Sequence, residues 1–168
     1  MAQDEIVVIV DEKNNVIGAK ARSVMRSKGL RHRATYILVF NSSGKTFVQK
    51  RTITKDVYPG YYDVAAGGVV LDKETYEESA GRELEEELGI RDVPLSHLFD
   101  FYYKDKKNRV WGRAYTCVYD GEIVLQKEEV ESGSFQDVDK IIRMTGHELF
   151  TPDSLYVLDR YVREKSGL

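Results

Sequence analysis

Cysteine is almost absent from this 168-residue chain: Cys117 stands alone, which excludes an internal disulfide and a multi-cysteine zinc site. Proline is scarce too, with only Pro59, Pro94 and Pro152, and none of them marks a linker or a break in composition. No apolar run approaches the roughly 20 residues that a membrane span requires, and Ile6–Val10 is typical of the longest. Asp4 and Glu5 precede that run, the wrong order for a secretory signal. Neither sign of charge dominates, since 25 Lys+Arg against 28 Asp+Glu leave a net charge of −3, and this argues against a general nucleic-acid-binding surface. Repeats and low-complexity tracts are missing as well. The expectation is one domain over residues 1–168, cytoplasmic, with no nucleic acid and no membrane among its partners. A content of 32% charged and 42% hydrophobic residues fits a soluble globular protein.

What is present is a mixture of short β-branched runs and a few helical patterns. Ile6–Val10 and Val16–Ala19 flank a polar turn and read as a hairpin; Ser23–Lys28, closed by Gly29, reads as a short helix capped by Ser23. Ala34–Phe40, Asn41-Ser42-Ser43-Gly44 and Thr46–Arg51 form the clearest hairpin, followed by an aperiodic loop over Thr52–Tyr62. Val64–Leu71 predicts a short strand broken by Gly67-Gly68, and Leu98–Tyr103, Val110–Tyr119 and Ile123–Leu125 predict further strands. Helices are expected over Tyr76–Leu88, Val138–Met144 and Ser154–Glu164. Strand pairs mixed with helices point to a mixed sheet covered on both sides.

The chemistry concentrates on one helix. Thr75 and Glu78 form a capping box and Gly89 a C-terminal stop, so Tyr76–Leu88 spans about 20 Å. At about 100° per residue, Tyr76, Ala80, Leu84 and Leu88 fall within one apolar stripe. Glu77, Glu78 and Glu85 fit an ordinary solvated face. Glu83 and Glu87 do not: they sit one turn apart at the edge of the stripe, where like charges repel and screening is poor. A divalent cation would neutralise them, because hard cations take oxygen ligands and bridge to substrate phosphates. Arg82 is spaced to pair with Glu78 or Glu86.

These residues resemble the complete Nudix box. Gly68, Glu74, Arg82-Glu83-Leu84, Glu86-Glu87 and Gly89-Ile90 stand at its spacing, over residues 68–90. The resemblance implies a Nudix-type α/β/α sandwich, with a central mixed sheet and an N-terminal hairpin and short helix over about residues 1–30. It further implies hydrolysis of a diphosphate linkage in a small-molecule nucleoside diphosphate derivative, with Mg²⁺ or Mn²⁺ as cofactor. Glu83, Glu86 and Glu87 match the family's catalytic and metal-binding positions. Gly67 or Gly68, with Gly68 preferred, matches the place that offers a backbone carbonyl to the metal. The general base stays unassigned among the glutamates, and Glu128, Glu129 and Glu131 lie where some members bring in a further acid. Dimers occur among such proteins, so a homodimer stays open.

Upstream, Leu30–Thr35, Val48–Arg51, Thr54-Lys55 and Tyr58-Pro59-Gly60 resemble the branch that includes type 1 isopentenyl-diphosphate isomerase. Arg51 and Lys55 match diphosphate-holding positions, and His32 matches a metal position whose partner ligands are missing. The isomerase's cysteine and histidine positions fall on Ala66 and Gly68, and its glutamate pair on Lys107-Asn108-Arg109. A hydrolase-type member of that branch is therefore expected, ahead of an isomerase or a non-catalytic nucleotide-binding module. Cys117 is expected to be a buried inert thiol, and His97 and His147 surface residues. Trp111 and Tyr115 are expected mainly in the core, with Tyr102, Tyr103 or Trp111 available to stack on a base, and Lys104–Arg109 is read as a solvated basic loop.

Overall fold

A computed structural model describes residues 4–167. Residues 1–3 and 168, the two ends of the expected domain, lie outside the described residues. The strands are β1 (Ile6–Val10), β2 (Val16–Ala21), β3 (His32–Phe40), β4 (Thr46–Arg51), β5 (Tyr62–Asp63), β6 (Ser96–Lys104), β7 (Arg109–Val118) and β8 (Val130–Gln136). The helices are α1 (Arg22–Lys28), α2 (Tyr76–Leu88), α3 (Val138–Met144) and α4 (Pro152–Lys165). Among the described residues, no helix is long and apolar enough to cross a membrane.

Strand β3 organises the sheet. It pairs with β7 in parallel along its whole length, from His32↔Val110 to Phe40↔Val118, and β6 lies antiparallel beyond β7. β1 touches the start of β3 at Ile9↔His32, and β4 touches its end at Phe40↔Thr46 before joining β5 and β8. A strand buried on both faces reads as a continuous apolar run, and β3 divides its side chains accordingly. Ile37 and Val39 pack with Tyr76, Ala80, Leu84 and Leu88 of α2. Tyr36 and Leu38 pack on the opposite face with Ile141 of α3 and Val157 and Leu158 of α4. The expected mixed sheet between helical layers is observed.

Four local readings are corrected. Segment 64–71, expected as a short strand broken by Gly67-Gly68, forms isolated bridges instead, Ile37↔Ala66 and Ala34↔Val69 with β3 and Val7↔Leu71 with β1. Ser23 does not cap α1: Ala21 occupies that position, and Asp4 accepts hydrogen bonds from the Ser23 backbone N–H and hydroxyl. Ile123–Leu125 forms no strand because its backbone is used elsewhere. Val124 and Gln126 donate to the Leu88 and Glu87 carbonyls, which α2 leaves without helical partners. β8 carries the sequence VESGSFQ and is largely exposed, so its weak alternation hides a strand that β4 recruits.

Candidate active site

Helix α2 forms as its sequence dictates. The Thr75 side chain accepts from the Glu78 N–H, Glu78 returns a bond to the Thr75 N–H, and Gly89 closes the helix in the left-handed region. Arg82 does not pair with Glu78, which the cap consumes. Its Nε and Nη2 grip the two Glu74 carboxylate oxygens at 2.6 and 3.0 Å, and its Nη1 lies 3.0 Å from Glu83 and 3.2 Å from Glu86. The bidentate fork ties the 71–74 turn to the helix and orients two carboxylates at once.

Glu83 and Glu87 lie where the helical wheel puts them. Their side chains flank the Gly67-Gly68 turn: Glu87 accepts from the Gly67 N–H at 2.8 Å and from Gln49 Nε2 at 3.0 Å. Glu83 packs on Gly68, where an added Cβ would stand 2.6 Å from its Oε1. Glu87 is 6% exposed and the Glu83 side chain 15%, whereas the Glu86 side chain is 48% exposed. Burial, and then Glu83's charge, push the Glu87 carboxyl above the usual carboxylate range; burial and Glu86 do the same to Glu83 against the pull of Arg82.

Gly67 fixes this turn. Its φ is +131°, and a Cβ there would sit 2.1 Å from the Thr35 carbonyl oxygen. Gly67→Ala is expected to destabilise the protein by more than about 3 kcal/mol, read as a lower urea midpoint, and to detach the Glu87 carboxylate from its N–H. The Gly68 carbonyl, expected as a metal ligand, already accepts the Thr35 N–H at 2.9 Å and the Thr35 hydroxyl at 3.4 Å. The Gly67 carbonyl meets no donor among the described residues.

Arg51 and Lys55 reach the site from the end of β4 and the following loop. Arg51 donates from Nε and Nη2 to the Val57 carbonyl at 3.1 and 2.8 Å, and its Nη1 is 3.5 Å from Asp63. Lys55 pairs with Glu129. Both line a cavity of about 80 Å³ that Gly67 and Gly68 also border. Lys55 further lines an open groove of about 580 Å³ with Glu86, Glu128 and Glu129. Glu131 instead pairs with Lys50 on β4, at 3.4 Å.

Several residues here were not singled out from sequence. Gln49 holds Glu87; it lies within the Val48–Arg51 segment, and a polar residue in the same phase as Phe47 on a buried strand was the signal of its inward role. Arg22 and Arg26 of α1 flank Asp56 at 3.2 and 3.3 Å and line the cavity; no spacing announces a contact made across 30 or more residues. His32 also lines it, at 1% exposure, and burial holds its imidazole neutral with a pKa lowered to about 3. Tyr102 and Trp111 pack on each other at 5.5 Å, and Tyr102 stays exposed. Cys117 is buried as expected, its thiol pushed up to about 11. His97 is exposed against Asp100 and His147 is exposed, while Lys107 lies over the Tyr58 ring at 5.0 Å.

Whether these residues fit a divalent cation follows from their chemistry. Among the described residues, no three His, Cys, Asp or Glu side chains form a ready-made metal cage. Arg82 holds Glu83 and Glu86, while Gly67 and Gln49 hold Glu87. The donor set is nevertheless all oxygen, the preference of hard cations. Gln49 Oε1 is buried beside Glu87 without a partner, an unmet acceptor that such a cation would satisfy directly or through its water. The residues fit.

Comparison with known proteins bears on the same residues. The NUDIX domain matches residues 30–160. An uncharacterized Nudix hydrolase of Yersinia pestis is 47% identical over 158 residues, 94% of this chain and 86% of that protein. The uncharacterized Nudix hydrolase YfcD of Escherichia coli strain K12 is 45% identical over 166 residues, covering 99% and 91% respectively. A crystal structure of DR0079 from Deinococcus radiodurans shares the fold with a TM-score of 0.81 at 24% identity, over 93% of this chain and 98% of that one. The NUDIX domain of Shewanella oneidensis NrtR, solved with ADP ribose, gives a TM-score of 0.61 at 15% identity, over 80% and 86%.

Proposed function

From the premise that this chain belongs to the Nudix family of hydrolases, which cleave pyrophosphate linkages and generally use divalent cations, we propose that it cleaves the diphosphate of a small-molecule nucleoside diphosphate derivative with Mg²⁺ or Mn²⁺. The observation that carries this reading is the pair Glu83 and Glu87, buried side by side against Gly67-Gly68 at an electrostatic cost that the fold alone does not require. A cation held by Glu83, Glu86 and Glu87, with a Gly67 or Gly68 carbonyl, would neutralise the diphosphate, sharpen a water as nucleophile and stabilise the leaving oxygen.

The chain's own groups do the rest. Arg82 keeps Glu83 and Glu86 aimed along one edge of α2. Glu83 or Glu86 accepts the proton of the attacking water. Lys55, standing where cavity and groove meet, and Arg51 behind it draw the anionic linkage into place. Residues 1–168 act as a single domain in this reading.

Placement in the isomerase-like branch, as a hydrolase, belongs to the same proposal. Arg51, Lys55 and His32 line one cavity, whereas Ala66 and Gly68 bring no acid or base to it. Protonating carbon would require such a pair. The test is a hydrolysis screen with Mg²⁺ or Mn²⁺ across dinucleotides, nucleotide sugars, nucleoside triphosphates and isopentenyl diphosphate. Release of phosphorylated products from a nucleotide derivative is expected. Conversion of isopentenyl diphosphate to its allylic isomer, or binding without turnover, would overturn the reading.

A further inference from the structure

The face of the sheet that carries α2 continues past the start of that helix, and the residues there line neither the cavity at Gly67-Gly68 nor the groove beside Glu86. Strand pairing sets them in rows. Arg33 lies opposite Trp111, and Trp111 opposite Tyr102; one row further out Arg109 lies opposite Lys104. Alternate residues of a strand share a face. Arg33 and Arg113 both stack on Tyr76, the first residue of α2, at 5.1 and 4.4 Å from its ring centre, which places the rows on the α2 side. Arg31, just before β3, reaches across β7: its Nε donates to the Tyr102 hydroxyl at 3.4 Å, and its guanidinium lies 5.6 Å from that ring's centre.

This face is cationic without internal compensation. Arg31, Arg33, Lys104 and Arg109 make no ion pair among the described residues. Arg33 is held instead by Asn14, whose side-chain and backbone oxygens accept from Nε and Nη2 at 2.8 Å. Carboxylates at the border are engaged elsewhere: Asp100 and Glu77 bind Arg113, and Asp11 accepts the Lys13 and Asn15 N–H groups of its own turn. Among the cations stand two aromatic rings, and Tyr102 is 38% exposed. The net charge of −3 speaks against a basic surface at large; it leaves room for a local one.

We propose that this face binds a single strand of nucleic acid, with Arg31, Arg33, Lys104 and Arg109 on its phosphates and bases stacked on Tyr102 beside Trp111. Sheet faces that mix aromatic rings with cations suit splayed bases, about two or three at a time, and β3, β7 and β6 together give a width of about 10 Å. The site is separate from hydrolysis and does not depend on the hydrolase reading. Competing ligands fit worse. An acidic peptide would use the cations and leave the exposed ring without a role, and a duplex keeps its bases stacked away from it.

Trp111 is the chain's one tryptophan, so its emission reports on this face. Titrating the intact protein with oligouridylate and oligothymidylate dodecamers should quench that emission. Raising NaCl from 50 to 200 mM should weaken binding about 20- to 50-fold, the response to three or four neutralised phosphates on a single strand. Tyr102→Ala should weaken binding about tenfold, while Tyr102→Phe, which keeps the ring, should stay within about twofold. Lys104→Gln combined with Arg109→Gln should reduce the salt effect to about three- to sevenfold. These variants should leave turnover of a small diphosphate substrate unchanged, and Glu87→Gln should bind the strand as the intact protein does. A preference for uridylate or thymidylate names the sugar and keeps the assignment. Absence of quenching by both strands, or a signal that ignores salt and Tyr102→Ala, overturns it. So does equally tight binding of uridine monophosphate, of a polyglutamate dodecamer or of a duplex of the same length. Should Tyr102→Ala fail to fold, the double variant at two exposed side chains decides alone.

Discussion

Glu87→Gln will remove turnover and leave the fold standing. The expected loss is about 10³-fold or more in kcat, the scale seen when one preorganised charge-bearing group is deleted from an active site. Folding should survive because the new amide keeps an oxygen for the Gly67 N–H. Its other end would donate to Gln49, whose unpartnered Oε1 becomes available by an amide flip. Removing a buried like charge beside Glu83 also relieves the folded state, so urea unfolding at pH 8 without metal should show stability unchanged or raised by about 1–2 kcal/mol. Full activity in this variant would sink the assignment of Glu87. A collapsed fold would instead assign it a structural role.

Withdrawal of divalent metal with EDTA is expected to take turnover to background and to expose a pH-dependent weakness. Burial and mutual repulsion raise Glu83 and Glu87 from the ordinary 4.5, so the folded chain holds protons that the unfolded chain has released. Stability then falls as pH rises toward the folded values. His32 works in the opposite direction, because the unfolded imidazole gains protons that the buried ring refuses; that contribution ends once pH passes its unfolded value near 6.5. Asp63, raised to about 6 by burial, is also spent by then. Between pH 6.5 and 8 the two glutamates dominate. The metal-free protein should lose about 1–2 kcal/mol across that window, measured by denaturant titration, and Mg²⁺ or Mn²⁺ should restore it at pH 8. A flat profile, or no restoration by either cation, would show that the carboxylates carry no such strain.

The helix bearing these carboxylates was readable because its signals are local. Thr75, Glu78 and Gly89 set its ends, and a 3.6-residue period places Glu83 and Glu87 beside the stripe of Tyr76, Ala80, Leu84 and Leu88. Pairings across the chain were less legible. Arg82 has Glu78 and Glu86 at helical spacing, yet its strongest partner is Glu74, outside the helix. β8 escaped notice because its exposed side chains carry no hydrophobic alternation, and only the open edge of β4 makes it a strand. Ile123–Leu125 failed in the opposite sense, its apolar residues serving to close the end of α2.

By itself the sequence determined the hydrolase motif, the helix that presents it and a mixed sheet between helices, since capping, periodicity and spacing act within a few turns of chain. Tertiary structure alone decided that Gln49 supports Glu87, that α1 lends Arg22 and Arg26 to the cavity, and that His32, Asp63 and Asp153 share it. Those encounters depend on where β3, β5, α1 and α4 are carried by packing, and burial then shifts how firmly each group holds its proton. Neither the route through space nor the loss of water is written in the neighbours of any one residue.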